Sequence, residues 1–163
     1  MAPEASEGGN VYSTFTCLIA LQFLVILCHD LIEVPGWTHT SQMRSALGRR
    51  KLWLATIVNS IFPGLAVAFA FRYWNRPKPQ FVGRYWLIYC AITVASAIAM
   101  WYLPYFLGAS AEKKEEYQRF YVGTHQILPP RGDNPRPNLL HLLFHILFLS
   151  TFFLALAIYQ RRP

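Results

Sequence analysis

Two pairs of ionisable residues, one in each half of the chain, have a spacing that could bring acid and base groups together. His29 and Glu33 are four residues apart in the string LCHDLIEVPGW, and His141 and His145 are four apart in NLLHLLFH. Residues four apart lie on the same face of an α-helix. Histidine changes its charge near neutral pH, and a carboxylate one turn away can orient it. The spacing therefore predicts proton-transfer chemistry, with these four residues as the catalytic candidates.

Three interpretations of these residues stay open at this stage. In the first, imidazoles and carboxylates bond to each other and to the backbone and only hold helices together. In the second, they form an acid–base site, since a carboxyl group in a dry pocket can stay protonated and act as an acid. In the third, two histidines one turn apart and a carboxylate bind zinc or iron. The HExxH pattern is absent, and our prediction names no metal and no cofactor.

Further polar residues fall where they could line the same site. Asp30 follows His29 and should point about 100° away from it on a helix. Asn59 lies midway along an apolar segment, close to Pro63, which loosens the helical hydrogen bonds. The predicted substrate-binding residues are Asp30, Asn59, Tyr117, Tyr121, His125 and Asn138.

Four apolar segments must position these side chains. Each is long enough to cross a bilayer, which takes about 20 residues at helical rise, and none has Lys or Arg in its interior. Soluble amphipathic helices would show a polar face every few residues. We predict an all-α fold: one domain, an integral membrane four-helix bundle with helices at about 12–33, 52–73, 85–107 and 138–160.

The segment 108–138 is long for a connection in a compact bundle, and long ordered loops are often functional. Its first half, AEKKEEYQRFYVGTH, predicts a short helix at the membrane interface or over the end of the bundle. Its second half, LPPRGDNPRPN, contains four prolines and cannot be helical. Asn138 is placed to cap the last helix.

The order of the segments predicts where the polar residues meet. With four crossings, the end of the first helix and the start of the fourth lie on the same side, so the polar candidates should converge at one mouth of the bundle. The two connections on that side carry four and five basic residues, against six on the other side. The positive-inside rule then places both connections in the cytoplasm and both termini outside.

Composition excludes some classes of protein and indicates others. The chain has 163 residues, of which 54% are hydrophobic and 14% charged, which excludes intrinsic disorder. Its net charge of +7 is scattered between apolar segments, unlike the basic stripe of nucleic-acid-binding domains. Three cysteines, all inside apolar segments, indicate free thiols. The expected partners are the membrane and a hydrophobic small molecule or lipid, and a homo-oligomer remains open. The expected location is the endoplasmic reticulum in a eukaryote or the inner membrane in a bacterium.

The string HDLIEVPGW resembles the first helix of the EXPERA domain, the four-helix membrane module of emopamil-binding sterol isomerases and sigma-2-type proteins. In that family a His and a Glu one turn apart precede a Gly-Trp step, which His29, Glu33, Gly36 and Trp37 would match here. The resemblance implies that His29 and Glu33 move protons within a ligand cavity. The chain departs from the family in its second apolar segment, which offers Asn59 but no carboxylate, and in its fourth, which has histidines instead of Trp and Pro.

The function predicted from the sequence is that of a small membrane-embedded enzyme. It would be an isomerase- or cyclase-type catalyst doing acid–base chemistry on a sterol, terpenoid or polyketide-like molecule inside the bundle. The alternative is a non-catalytic membrane protein, namely a lipid or sterol binder, a transport accessory or a subunit of a complex, whose polar residues are structural.

Overall fold

The computed structural model describes residues 4–161, and the regular secondary structure of this part of the chain is helical, without a β-strand. A π-helical segment, Ile98–Tyr102, joins the fourth helix to the fifth. The predicted all-α class is confirmed. The seven α-helices are α1 (Glu4–His29), α2 (Thr40–Leu47), α3 (Arg49–Arg72), α4 (Gln80–Ala97), α5 (Leu103–Leu107), α6 (Ala111–Phe120) and α7 (Leu139–Gln160).

Four helical stretches are long and apolar enough to cross a membrane, as the sequence predicted. Much of their apolar surface faces outward: Leu54 of α3 is 61% exposed and Phe153 of α7 is 58% exposed. The third stretch runs through α4, the π-helical segment and α5 without a break. The four stretches are Asn10–His29, Arg49–Arg72, Gln80–Leu107 and Leu139–Gln160.

The four long helices pack in the order α3, α1, α7, α4, and α3 and α4 diverge. α4 packs most extensively on α7, and α1 packs on both α3 and α7. Contacts between α3 and α4 lie near the turn that joins them. There the Phe69 ring packs edge-on against Phe81 and Tyr85, at 5.9 and 5.3 Å between centroids. The bundle is therefore closed at the end that carries this turn and open between α3 and α4 above it.

The closed end holds the best-packed core. Trp86 is fully buried, and its Nε1 donates a hydrogen bond to the Ala66 carbonyl at 3.1 Å. The Tyr12 hydroxyl donates to the Ala70 carbonyl at 2.6 Å. Because Ala66 and Ala70 are small, both aromatic side chains can reach the α3 backbone. The core cluster comprises Tyr12, Phe15, Ile19, Ala66, Ala70, Val82, Trp86, Cys90 and Ala155.

At the other end, the segments outside the long helices form a cap over the bundle. α2 packs on α6, and residues 121–138 cross between them and α7. His125 ties two parts together, because its N–H donates to the Gly36 carbonyl at 2.6 Å and its own carbonyl accepts from Leu139 N at 2.8 Å. The predicted loop helix is confirmed as α6, and the proline-rich stretch that follows is not helical.

The bounds of the first helix differ from the prediction. α1 ends at His29, four residues before the predicted end. Pro35 disfavours helical backbone at Val34, and Thr38 stabilises a turn instead. Its hydroxyl donates to the Ile32 carbonyl at 3.1 Å and accepts from Val34 N at 2.8 Å. α3 begins three residues and α4 five residues earlier than predicted, since the prediction counted only their apolar residues, and α7 begins one residue later, after its Asn138 cap.

Candidate functional site

A small polar cleft of about 30 Å³ lies at the capped end, where the end of α1 meets the first turn of α7. Both ends contribute ionisable groups, so the predicted convergence of the first and last long helices is confirmed for part of the set. The residues lining this cleft are His29, Asp30, Trp37, Thr38, His39, Met43, Phe120, Tyr121, Thr124, Asn138, Leu140 and His141.

The His29 imidazole and the Asp30 carboxylate lie within hydrogen-bond distance of each other in the cleft. Nε2 of His29 lies 3.0 Å from Oδ1 of Asp30, and Asp30 is only 7% exposed. Nδ1 of His29 lies 2.9 Å from the Ile26 carbonyl, which can only accept, so Nδ1 carries a proton. A hydrogen bond between Nε2 and the carboxylate therefore requires a second proton between them. The Thr56 hydroxyl of α3, at 3.4 Å from Asp30 Oδ2, faces the other oxygen.

Asn138 holds His141 in one tautomer. The Asn138 amide nitrogen donates to the Trp37 carbonyl at 3.2 Å, which fixes the amide so that its oxygen faces α7. That oxygen accepts from the backbone N–H of His141 at 3.0 Å, which confirms the predicted helix cap. It also lies 2.7 Å from His141 Nδ1. Nδ1 therefore donates, and in the neutral imidazole Nε2 is left as a proton acceptor.

Aromatic rings enclose His141. Its ring centroid lies 4.2 Å from that of Trp101 and 5.3 Å from that of Tyr121. Tyr121 follows α6 and packs edge-on against Trp101, with 5.0 Å between centroids. Burial raises the pKa of Tyr121 to about 12, so its phenol stays protonated and available as a hydrogen-bond donor.

A second, larger cavity of about 640 Å³ opens between α3 and α4. It is almost wholly apolar, and several of its lining side chains, such as Phe62 and Ile92, are more than half exposed, so it is open to the outside of the bundle. Its volume is within the range of small-molecule sites. Its lining residues are Ile26, His29, Val58, Asn59, Phe62, Pro63, Tyr85, Ile88, Tyr89, Ile92, Thr93, Ser96 and Phe148.

His29 is the residue that the two cavities share. Its ring packs edge-on against Phe144 of α7, at 5.6 Å between centroids, which fixes its orientation. A molecule in the apolar cavity would thus contact the same imidazole that shares a proton with Asp30. Asn59, a predicted binding residue, lines the apolar cavity and not the polar cleft.

The predicted pairing of His29 with Glu33 on one helix face is wrong, because α1 ends before Glu33. Glu33 instead binds the start of α2, where its carboxylate accepts from Thr40 Oγ1 at 2.8 Å and from Ser41 N at 2.6 Å. The expectation that Asp30 points away from His29 is wrong for the same reason. Once the chain leaves the helix, the Asp30 carboxylate is free to turn towards the His29 ring.

Three more candidates lie apart from the cleft. His145 places Nδ1 3.1 Å from the Tyr102 hydroxyl and is not among the residues that line either cavity. The His125 ring packs on Gly36 in the cap. Tyr117 lines a separate surface cleft of about 160 Å³ beside the proline-rich loop. Of the ten predicted site residues, the structure brings together His29, Asp30, Tyr121, Asn138 and His141 at the polar cleft.

Four residues around the site were not predicted from the sequence. Thr56 had a signal in the sequence, because it and Ser60 are polar residues four apart on one face of an apolar helix. Both are buried in the structure. His39, which lines the cleft, has no partner spacing that singles it out. Trp101 and Tyr102 contact the α7 histidines from the π-helical segment, and nothing in the sequence predicted that segment. Such segments often occur at functional sites.

The donor set needed for a metal site is not assembled. Within residues 4–161, no three His, Cys, Asp or Glu side chains lie close enough together to hold a metal ion.

Comparison with protein-family models, with curated proteins and with solved structures finds no match for this chain. The resemblance to the EXPERA domain therefore stays a prediction, based on HDLIEVPGW and the number of long helices. The fold and the site define an all-α protein with four helices apolar enough to span a membrane, in which an apolar cavity adjoins a polar cleft.

Proposed function

We propose that the four long helices cross a membrane and that the chain is a multi-pass membrane protein. Support comes from the outward-facing apolar side chains, which water would penalise and hydrocarbon would not. Each helix satisfies its own backbone hydrogen bonds, as a crossing segment must. The compartment would be the endoplasmic reticulum in a eukaryote or the inner membrane in a bacterium.

Within that setting, we propose that the protein is an isomerase- or cyclase-type enzyme that acts on a hydrophobic small molecule. The observation that carries this proposal is the position of His29, at the junction of the apolar cavity and the polar cleft. The cavity is large enough for a sterol-, terpenoid- or polyketide-like body. The cleft supplies a proton held between His29 and Asp30.

In the proposed mechanism, the His29–Asp30 pair is the proton donor. The imidazole transfers a proton to an electron-rich carbon or oxygen of the bound molecule, and Asp30 stabilises the charge on the ring before and after transfer. Burial of Asp30 excludes bulk water, which strengthens this electrostatic coupling. Asp30 thus takes the role that the sequence assigned to Glu33.

His141 and Tyr121 are proposed to assist from the far side of the cleft. Nδ1 of His141 is bonded to Asn138, so Nε2 is an acceptor and can take the proton that the bound molecule loses, which balances the proton that His29 donates. Tyr121, held neutral by burial, can donate a hydrogen bond there. His145 is bonded to Tyr102 outside both cavities, and its support for the site is indirect, through the contact between the π-helical segment and α7.

The rival function, a non-catalytic lipid binder or complex subunit, is favoured by one observation. Several polar groups at the site are already used within the protein: Asn138 caps α7 and also bonds to Trp37 and Thr124, and Thr56 bonds to its own helix at the Leu52 carbonyl. Such bonds would hold helices together without any chemistry.

Transfer of solvent deuterium distinguishes the two functions. An isomerase that adds one proton to carbon and removes another installs deuterium in its product when it works in D2O. We expect the purified full chain in nanodiscs to deuterate one component of a lipid extract from its host, detected by mass spectrometry. His29→Gln and Asp30→Asn should lower this rate at least about 100-fold, as for the loss of a general acid.

Glu33→Gln is the matched control, since it removes a carboxylate three residues from Asp30 that lies outside the cleft. We expect its deuteration rate to stay within about twofold of the native rate, because its contacts are to α2 alone. Equal losses in Glu33→Gln and Asp30→Asn would contradict the assignment of Asp30. Deuteration no faster than in protein-free nanodiscs would support the non-catalytic function.

A further inference from the structure

Asn59 lines the apolar cavity near the middle of α3, on the side of the helix that is exposed to the outside of the bundle. Its side chain makes no hydrogen bond within residues 4–161, so in the proposed membrane setting its amide faces hydrocarbon or a ligand. An unpaired amide is costly in apolar surroundings, and more so within a membrane span. Its presence there therefore needs a compensating interaction from outside the protein.

Three other polar side chains of this cavity already make hydrogen bonds within the protein. The Tyr85 hydroxyl donates to the Phe62 carbonyl at 2.7 Å, and that of Tyr89 donates to Gln22 Oε1 at 3.1 Å. Thr93 Oγ1 donates to the Tyr89 carbonyl at 2.8 Å. Ser96 is also unpartnered, but a serine hydroxyl can rotate onto a carbonyl of its own helix.

The charge of the cavity restricts the ligand further. None of its lining residues is Asp, Glu, Lys or Arg. Its histidine, His29, is paired with Asp30, so the two together offer little net charge to a ligand. A charged head group would lose its hydration and find no counter-charge, which is unfavourable in apolar surroundings.

We infer that the cavity between α3 and α4 binds an uncharged lipid that carries a hydroxyl or a carbonyl group, which Asn59 recognises. The amide can donate to either group and can also accept from a hydroxyl. The apolar body of the lipid fills the space along α4 from Tyr85 to Ser96, about 16 Å at helical rise. This inference deepens the proposed function, on which it rests, by naming the class of substrate.

Photolabelling with chain-matched probes tests the inference without requiring turnover. The full chain in nanodiscs is labelled with four diazirine probes of sixteen carbons: hexadecanol, hexadecane, hexadecyl sulfonate and hexadecyltrimethylammonium. We expect hexadecanol to label peptides of α3 and α4 at about five- to tenfold lower concentration than hexadecane, the gain from one hydrogen bond. The two charged probes should label these peptides least.

Asn59→Leu should abolish the preference for hexadecanol over hexadecane. Since the change removes an unpaired amide, the folded yield should stay the same or rise. Ser150→Ala is the matched control, because Ser150 is an exposed polar residue of α7 that bonds to its own helix and does not line the cavity. It should leave the preference unchanged.

Asp30→Asn separates this inference from the proposed function, because Asp30 lines the polar cleft and not the apolar cavity. It should keep the labelling preference while losing deuteration, so a failure of catalysis alone leaves the ligand class standing. Equal labelling by the charged probes, or an undiminished preference for hexadecanol in Asn59→Leu, would overturn the inference. A fall in the folded yield of Asn59→Leu would also overturn it, by showing that the amide stabilises the fold.

Discussion

Glu33 shows how the environment of one carboxylate decides its role. Hydrogen bonds from Thr40, and then from Ser41, lower the pKa of Glu33 below its ordinary value of 4.5. A carboxylate with a lowered pKa stays ionised and is a poor proton donor near neutral pH. Asp30, which follows His29 directly in the chain and is buried, makes the contact with the imidazole that Glu33 lacks. The residue that resembles a catalytic acid in the sequence is thus better suited to anchoring α2.

At the residue scale, this contact predicts a pH-dependent stability. Because folding lowers the pKa of Glu33, its contribution is present above about pH 4.5 and is lost as the pH falls through the folded-state value. Glu33→Gln should lower the Tm in detergent by a few degrees at pH 7. The difference from the native chain should shrink towards zero near pH 3.

Glu115→Gln provides the control for that experiment, since it removes the same charge from an exposed position of α6. It should leave the Tm near the native value at both pH values. A Tm difference between Glu33→Gln and the native chain that persisted unchanged in acid would contradict the proposed anchoring role.

At the scale of elements, the cap depends on a close approach of two segments. Gly36 has a φ of 76°, and a Cβ there would lie 2.5 Å from Nε2 of His125. Gly48, between α2 and α3, has nearly the same φ of 79°, but a Cβ there would meet nothing within 4 Å. The chain therefore contains two glycines with nearly the same positive φ and different steric surroundings.

Replacing each glycine by alanine separates the two effects. Gly48→Ala should cost only the strain of a side chain at positive φ, about 1 to 3 kcal/mol in the free energy of unfolding. Gly36→Ala should cost about 2 to 5 kcal/mol, because the clash with the His125 ring adds to that strain. Denaturant unfolding in detergent measures both values.

A double variant tests the cause of the Gly36 effect. If the clash is responsible, Gly36→Ala should cost about 1 to 3 kcal/mol less when His125→Ala is already present. An equal cost of Gly36→Ala with and without the His125 ring would show that the close approach does not matter.

At the scale of the whole molecule, the bundle combines a tightly packed end with an open one. Small residues of α3 let the aromatic core form beside the α3–α4 turn, and the divergence of the two helices above it creates the large cavity. The polar cleft lies beyond that cavity, under the cap. This arrangement puts the best-packed core and the polar cleft at opposite ends of the bundle, with the apolar cavity between them.

The orientation of the bundle in a membrane is predicted by its basic residues. The cap side carries more of them, so it should face the cytoplasm. In a cysteine-free background, Gln42→Cys of the cap should react with a membrane-impermeant maleimide only after the cells are permeabilised. Arg76→Cys, in the turn between α3 and α4, should react in intact cells. The reverse pattern would contradict the predicted orientation, and equal labelling of both in intact cells would contradict membrane crossing.

The sequence by itself determined the four long helices, α6, the proline-rich turn and the Asn138 cap. These features follow from local information: long apolar segments, proline geometry and a side chain that can bond to the next helical turn. Sequence order also placed His29 and His141 at the same end of the bundle.

Only the tertiary structure decided which groups meet there. The spacing of His29 and Glu33 predicted that the two side chains would pair. The helix ends before Glu33, at the turn that Thr38 stabilises, and His29 contacts Asp30 instead. Likewise, the cavity beside Asn59 exists because α3 and α4 diverge, and the π-helical segment turns Trp101 towards His141. Such outcomes depend on contacts between residues far apart in the chain, which local spacing does not encode.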